Sequence, residues 1–215
     1  MQKLKSKKET NEIIKVLENC YPDAKCGLDY ISPLYLAIAL ILAAQCTDKR
    51  VNMIMPVFFN KFPTLEDISN AKIEDIEKVI KPCGFYKNKA KNISLMSKKL
   101  IENFSSEIPN TMKDLTSLPG IGRKSANIIL QECFNKSEGI AVDTHVSRTT
   151  YRIGFTLSKE PLKQEQELIK KVDKKYFNKI NHILVYHGRK ICDARKPKCD
   201  ICPINEMCNK NGIKK

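Results

Sequence analysis

Two arrangements of residues in this sequence are suited to chemistry. The first is Leu118-Pro-Gly-Ile-Gly-Arg-Lys124, in which two glycines flank one isoleucine, a basic pair follows, and a run with helical spacing begins. Glycine adopts backbone angles that other residues avoid and lets a backbone approach a ligand closely. A helix starting at about Arg123 points its first N–H groups at that turn, which makes a phosphate site without any side chain. Gly120, Gly122 and Arg123 are therefore candidate phosphate contacts. Lys124 either holds the anion as well or reacts with what the anion carries. The second arrangement is Cys192, Cys199, Cys202 and Cys208, with spacing C-x6-C-x2-C-x5-C. Four thiols so close together imply a metal centre. Zinc held by four thiolates and a [4Fe–4S] cluster both suit them, and spacing alone does not choose. Between the first two cysteines runs a basic loop whose Arg195, Lys196 and Lys198 are a second set of candidate phosphate contacts.

The elements that must position these groups read as helices almost throughout. Residues 8–19 carry Ile13, Ile14, Val16 and Leu17 along one side. Ser32 and Pro33 open a segment, 33–44, that is apolar all round and is expected to be the central buried helix. Thr47 starts another, and Thr64…Asp67 and Thr111…Asp114 resemble capping boxes with Asp in place of Glu. Further helices are expected at 86–104, 122–134, 144–153, 161–173 and 178–188, with little regular structure in the cysteine-bearing tail. Strand-like alternation is scarce, and no repeat appears. The expected fold is all-α, with a boundary near residues 136–139.

The 215 residues carry a formal net charge of +14. Such an imbalance concerns partners, not fold, and nucleic acid is the first candidate, ahead of an anionic membrane surface. The basic N-terminus is followed by no apolar stretch of signal-peptide type. The longest apolar run, Leu34 to Ala44, falls far short of the roughly 20 residues a membrane span needs. A soluble, cytoplasmic protein is expected, and in a reducing compartment its nine cysteines need a reason other than disulfides. Cysteines 20, 26, 46, 83 and 133 are scattered beside apolar residues and are expected to be small buried side chains.

Taken together, LPGIGRKSAN at 118–127, VDTHVSR at 142–148, LAAQCTD at 42–48, GFYKNKA at 84–90 and the cysteine tail resemble the endonuclease III family of DNA glycosylases in order and separation. The resemblance spans nearly the whole chain. It implies a helix-hairpin-helix motif at about 112–131 and a [4Fe–4S] cluster bound by the four tail cysteines. It also implies two helical lobes, 26–137 and 1–25 plus 138–215, with the cluster at 192–208 and duplex DNA lying in a cleft between them. The implied partner is double-stranded DNA containing damaged bases or abasic sites, bound by a monomer associated with the nucleoid.

By resemblance Lys124 is the catalytic lysine and Asp143 the catalytic aspartate. Ordinary lysine is protonated at neutral pH and does not attack carbon. The positive end of a helix, the adjacent Arg123 and partial burial would all disfavour that charge, the usual conditions for a lysine nucleophile. On residues alone, a plain phosphate-binding lysine fits equally. Asp143 occupies an N-cap position and reads as a structural cap worth ~1 kcal/mol, a role compatible with stabilising positive charge on a sugar. By resemblance also, Gln45 fills the gap left by a flipped nucleotide and Phe85 takes the wedge position, where the family often has an aliphatic residue. A core aromatic is the competing assignment for Phe85. Arg148 is a candidate phosphate contact, as is Lys190, although a solvated face explains both. The implied activity is release of oxidised pyrimidines followed by strand cleavage through a lysine Schiff base. The competing readings are an adenine-mismatch glycosylase of the same superfamily and a non-catalytic DNA-binding iron–sulfur or zinc protein.

Overall fold

A computed structural model describes residues 3–213. Among them are eleven α-helices and no strand. The chain divides into two units, one formed by Cys26–Lys136 and the other by the residues through Lys25 together with those from Ser137 onward.

In the continuous unit, α2 (Pro33–Ala43) is the axis. It is apolar on every side and offers water no face, so every residue from Tyr35 to Leu42 is buried. Ser32 Oγ accepts the Tyr35 N–H at 3.2 Å, and Pro33 sits at the first helical position, where its missing N–H costs no bond. Helices α3 (Asp48–Lys61), α6 (Tyr86–Asn103) and α8 (Arg123–Phe134) pack around α2. Thr47 caps α3 by accepting the Arg50 N–H at 3.3 Å. Helix α4 (Leu65–Asn70) begins with a reciprocal capping box between Thr64 and Asp67. At the start of α7 (Met112–Ser117) the Thr111 hydroxyl accepts the Asp114 N–H and donates to the Asp114 carboxylate. Helix α5 (Ile73–Ile80) was not anticipated from the sequence. It is short, lacks a capping side chain at Lys72, and is held by Ile76 and Ile80, which are buried.

The other unit contains α1 (Lys7–Cys20), α9 (Thr144–Ile153), α10 (Pro161–Lys171) and α11 (Phe177–Lys190). They share one apolar cluster, to which α1 gives Ile13, Ile14 and Leu17, α9 gives Val146 and Ile153, α10 gives Leu168 and α11 gives Ile180, Ile183 and Leu184. Helix α10 stops two residues short of the expected end because Val172 turns extended and is itself buried. Among its described residues, the tail after α11 holds a single 3₁₀ turn, Cys199–Ile201. Of the five scattered cysteines only Cys83 is buried. Cys20 is exposed and Cys26, Cys46 and Cys133 are half-buried, so the expectation of buried side chains fails for four of them. Apolar neighbours in sequence do not place a residue on the inward face of its element.

Candidate functional site

Helices α7 and α8 form a hairpin joined at Leu118–Gly122. Gly120 lies in the left-handed region at φ +82°, and a Cβ there would stand 3.0 Å from Asn92 Cβ and 3.1 Å from Ile41 Cγ1. Glycine is thus demanded twice, by backbone angle and by the closeness of α2 and α6. Gly122 differs, since its φ is −90° and a Cβ would meet nothing within 4 Å. The unusual angle expected of both glycines occurs only at Gly120. Gly122 is the N-cap of α8 and brings no side-chain oxygen, so no capping side chain covers the first amides of that helix. Arg123 and Lys124 occupy the first turn and are exposed. The partial burial expected of Lys124 is not present, because the second position of α8 faces solvent while the buried stripe starts at Ala126.

Gln45 and Phe85 are exposed residues of the same unit with left-handed backbones without being glycine, as are Ser105, Ser106 and Asn135 in other loops. Gln45, after α2, has φ +52°, and Phe85, at the N-cap of α6, has φ +45°. Such conformations cost of order 1–3 kcal/mol each and persist only where surrounding structure enforces them. Phe85 is 66% exposed, which excludes the core-aromatic assignment.

In the discontinuous unit, Asp143 caps α9, its Oδ1 accepting the Val146 N–H at 2.8 Å. Arg148, expected at phosphate, is turned inward. Its Nε donates to the Cys192 carbonyl at 3.1 Å and its Nη2 to the Gly188 carbonyl at 3.0 Å, beside His145 Nδ1 at 3.1 Å. One turn along α9 from Asp143, those carbonyls lie within its reach, and a guanidinium satisfies several at once. Lys190 stands over the rings of Tyr21 and Tyr186. Arg195, Lys196 and Lys198 are exposed. The amides of Arg195 and Lys196 donate to Asp193 Oδ1, which holds that carboxyl below the ordinary range.

Cys192, Cys199, Cys202 and Cys208 line one small apolar cavity with Ile153, Ile191 and Ile213. Burial pushes the Cys202 thiol up to about 11, and the three other cysteines push the same way. A thiol raised in this way becomes a metal-ligating thiolate only where a cationic centre neutralises it. N–H groups already point at the sulfurs: Lys210 N–H at 3.4 Å from Cys208 and Arg152 Nη1 at 3.5 Å from Cys192. Such donors are what a thiolate-bound cluster uses. Among the described residues, no three His, Cys, Asp or Glu side chains converge as a single-ion site. The donors ring a shared space instead, and the thiols, the apolar lining and the N–H groups all fit an iron–sulfur group.

Comparison with known proteins decides the family. Residues 38–174 match the model of the HhH-GPD superfamily base excision DNA repair proteins, and residues 192–208 match the iron–sulfur binding domain of endonuclease III. Endonuclease III of Synechocystis sp. is 40% identical over 97% of this chain and 95% of its own length. The chain belongs to the endonuclease III family. A non-covalent endonuclease III–DNA complex and a trapped endonuclease III–DNA covalent intermediate each superpose with TM-score 0.91 at 35% identity, covering 96% of this chain and 97% of theirs. The tail cysteines therefore belong to an iron–sulfur centre, and the zinc alternative is set aside.

Three residues around the endonuclease III motifs were missed in the sequence. Arg152 donates to the carbonyls of Asp193 at 2.6 Å and Ala194 at 2.8 Å, as well as to Cys192, and so fastens the start of the cysteine loop. His187 is buried, held down to about 4 by that burial, with Nδ1 3.0 Å from Tyr21 Oη and Nε2 3.8 Å from Cys202 Sγ. Neither had a local signal, since their partners are distant in sequence. Lys89 did have one. It falls on the same stripe of α6 as Ile93, Met96 and Leu100, and a charge on an apolar stripe calls for an explanation.

Proposed function

We propose that this chain is a bifunctional DNA glycosylase and abasic-site lyase. It releases oxidised pyrimidines from duplex DNA and then cleaves the strand 3′ to the abasic site. The observation that carries this reading is the exposed amine of Lys124 at the opening of α8, behind a turn that Gly120 forces close to α2 and α6. Phosphates of the bound strand take the uncapped amides of α8 and the side chain of Arg123. The extruded nucleotide, not the free chain, supplies the burial that favours the neutral amine. Gln45 occupies the gap in the stack and Phe85 wedges beside it.

The neutral Nζ of Lys124 attacks C1′ of the sugar. The Nζ–C1′ bond forms as the glycosidic bond breaks, and the base leaves with the bonding pair and takes up a proton. Loss of the amine proton and opening of the C1′–O4′ bond give a Schiff base. Removal of a C2′ proton expels the 3′ phosphate with the C3′–O electron pair, and water then frees the lysine. Asp143 keeps Oδ1 on the Val146 amide and offers its other oxygen to the positive charge that grows on the sugar. Cys192, Cys199, Cys202 and Cys208 hold a [4Fe–4S] cluster, which when bound ties the tail together through four covalent links. The enzyme acts as a monomer on cytoplasmic, nucleoid DNA. Among the described residues no helix is long and apolar enough to cross a membrane.

Borohydride tests the central step. With a duplex carrying an oxidised pyrimidine it traps a covalent protein–DNA species, and Lys124→Gln eliminates that species while leaving duplex affinity within about threefold, since one phosphate-facing charge among many is lost. Trapping that survives the substitution removes Lys124 from the reaction.

A further inference from the structure

Lys89 is a cation with only 4% of its surface exposed, and no carboxylate partner appears in its contacts. Its Nζ donates to the Leu42 carbonyl at 2.9 Å and to the Cys83 carbonyl at 2.9 Å. Those acceptors come from separate elements. Leu42 lies in the last turn of α2, where carbonyls have no helical N–H left to accept. Cys83 ends the 3₁₀ turn Lys81–Cys83. A cation against these chain ends also suits the negative end of α2. Leu42 precedes Gln45 by three residues and Cys83 precedes Phe85 by two. The buried ammonium therefore joins the roots of the left-handed positions Gln45 and Phe85. Arg50 Nη1 adds a bond to the Pro82 carbonyl at 3.1 Å in the second of these loops.

Burial drives the Lys89 ammonium below the ordinary lysine value, so the fold maintains an unfavourable charge here. Lysine answers the geometry as an apolar residue does not. Its stem lies along the apolar stripe of α6, and its head has three donors and no acceptor, matching two buried carbonyls. The strain at Gln45 and Phe85 requires an external restraint, and charge-assisted bonds of this kind are about twice as strong as neutral ones.

We propose that Lys89 is the positioning residue for DNA insertion: it locks the Gln45 loop and the Phe85 loop into one rigid device that enters the duplex when a nucleotide is extruded. The inference rests on the proposed roles of Gln45 and Phe85. It adds that neither loop holds its inserting geometry without the clamp, although Lys89 touches no DNA.

The holoenzyme and its Lys89→Met, Gln45→Ala and Phe85→Ala variants test this in single-turnover assays on two substrates. One is a duplex with a single oxidised pyrimidine. The other is a single strand with a pre-formed abasic site, where no stack has to be entered. Loss of positioning lowers the duplex-to-single-strand rate ratio of Lys89→Met by roughly 10–100-fold, the penalty for a misplacement of about 1 Å. The fluorescence of 2-aminopurine opposite the lesion reports insertion directly and should no longer rise on binding. A purely structural loss lowers both rates together, and a ratio unchanged in Lys89→Met while Gln45→Ala and Phe85→Ala lower it overturns the clamp alone. A ratio unchanged in Gln45→Ala and Phe85→Ala overturns the insertion reading and the clamp with it. If Lys89→Met fails to fold by circular dichroism, Lys89→Gln, which cannot span both carbonyls, is judged by the same ratio.

Discussion

The two helix starts that carry the proposed chemistry are built in opposite ways. Helix α8 begins at Gly122, which has no side chain to spend on its amides. Helix α9 begins at Asp143, whose carboxylate takes the Val146 amide at 2.8 Å. Both ends are positive by their backbone dipoles. One has no capping anion of its own, and beside it stands an exposed lysine. The other supplies its own anion. The same local physics thus yields an uncapped positive end, the proposed phosphate seat, and a fixed carboxylate, and the only difference is whether the N-cap residue has an oxygen.

Substitutions at these two starts should separate the roles. The largest effect is expected at the nucleophile and its partner. Lys124→Gln should abolish trapping, and Asp143→Asn should slow excision on the order of 10²–10⁴-fold while thermal stability barely moves, because Asn caps as well as Asp. Asp143→Ala should add a stability loss of ~1 kcal/mol, readable by denaturant titration. If Asp143→Asn keeps full activity, Asp143 is a cap and nothing more. Next is Gly120→Ala, expected to cost about 1–3 kcal/mol by strain at φ +82° and by overpacking against Asn92 and Ile41, with a parallel loss of DNA affinity. Gly122→Asp should do the reverse. With open space and ordinary φ it gives α8 a cap like that of α9, gaining up to ~1 kcal/mol in stability while weakening duplex binding by charge repulsion at the seat. A variant that is both more stable and a tighter binder would show that α8 does not seat phosphate. The smallest effect is at Arg123→Ala, which should reduce the slope of log affinity against log salt by about 0.9, one phosphate contact.

Acid should act on the tail-bearing unit through His187. Its folded value, about 4, lies below the ordinary 6.5, so between those values the unfolded chain binds the extra proton. Stability from this group is therefore complete above pH 6.5 and falls as pH drops toward 4, visible as a lower melting temperature.

Much of this was legible in the linear chain because it depends on near neighbours. Ser32 with Pro33, Thr47, Thr64 with Asp67, and Asp143 all mark helix starts through bonds spanning three residues, and these elements begin where their residues say. The all-round apolar character of 33–44 correctly marked the buried axis. The cysteine spacing disclosed a metal centre, and family resemblance disclosed its kind. What the chain alone determined, then, is where these helices start, which one is wholly interior, and which side chains are candidates for the chemistry.

Only the tertiary structure decided which of those side chains face inward. Arg148 was expected at phosphate, yet it bonds carbonyls 40 and 44 residues away. Lys124, a candidate for partial burial, stands exposed, whereas Lys89, one more lysine in a lysine-rich helix, is interior and bonded to Leu42 across 47 residues. The physical reason is the range of the bonds. A cap is satisfied within one turn and leaves its mark in adjacent letters. A buried cation is satisfied by carbonyls at the ends of other elements, and those come within 3 Å only once the helices have packed.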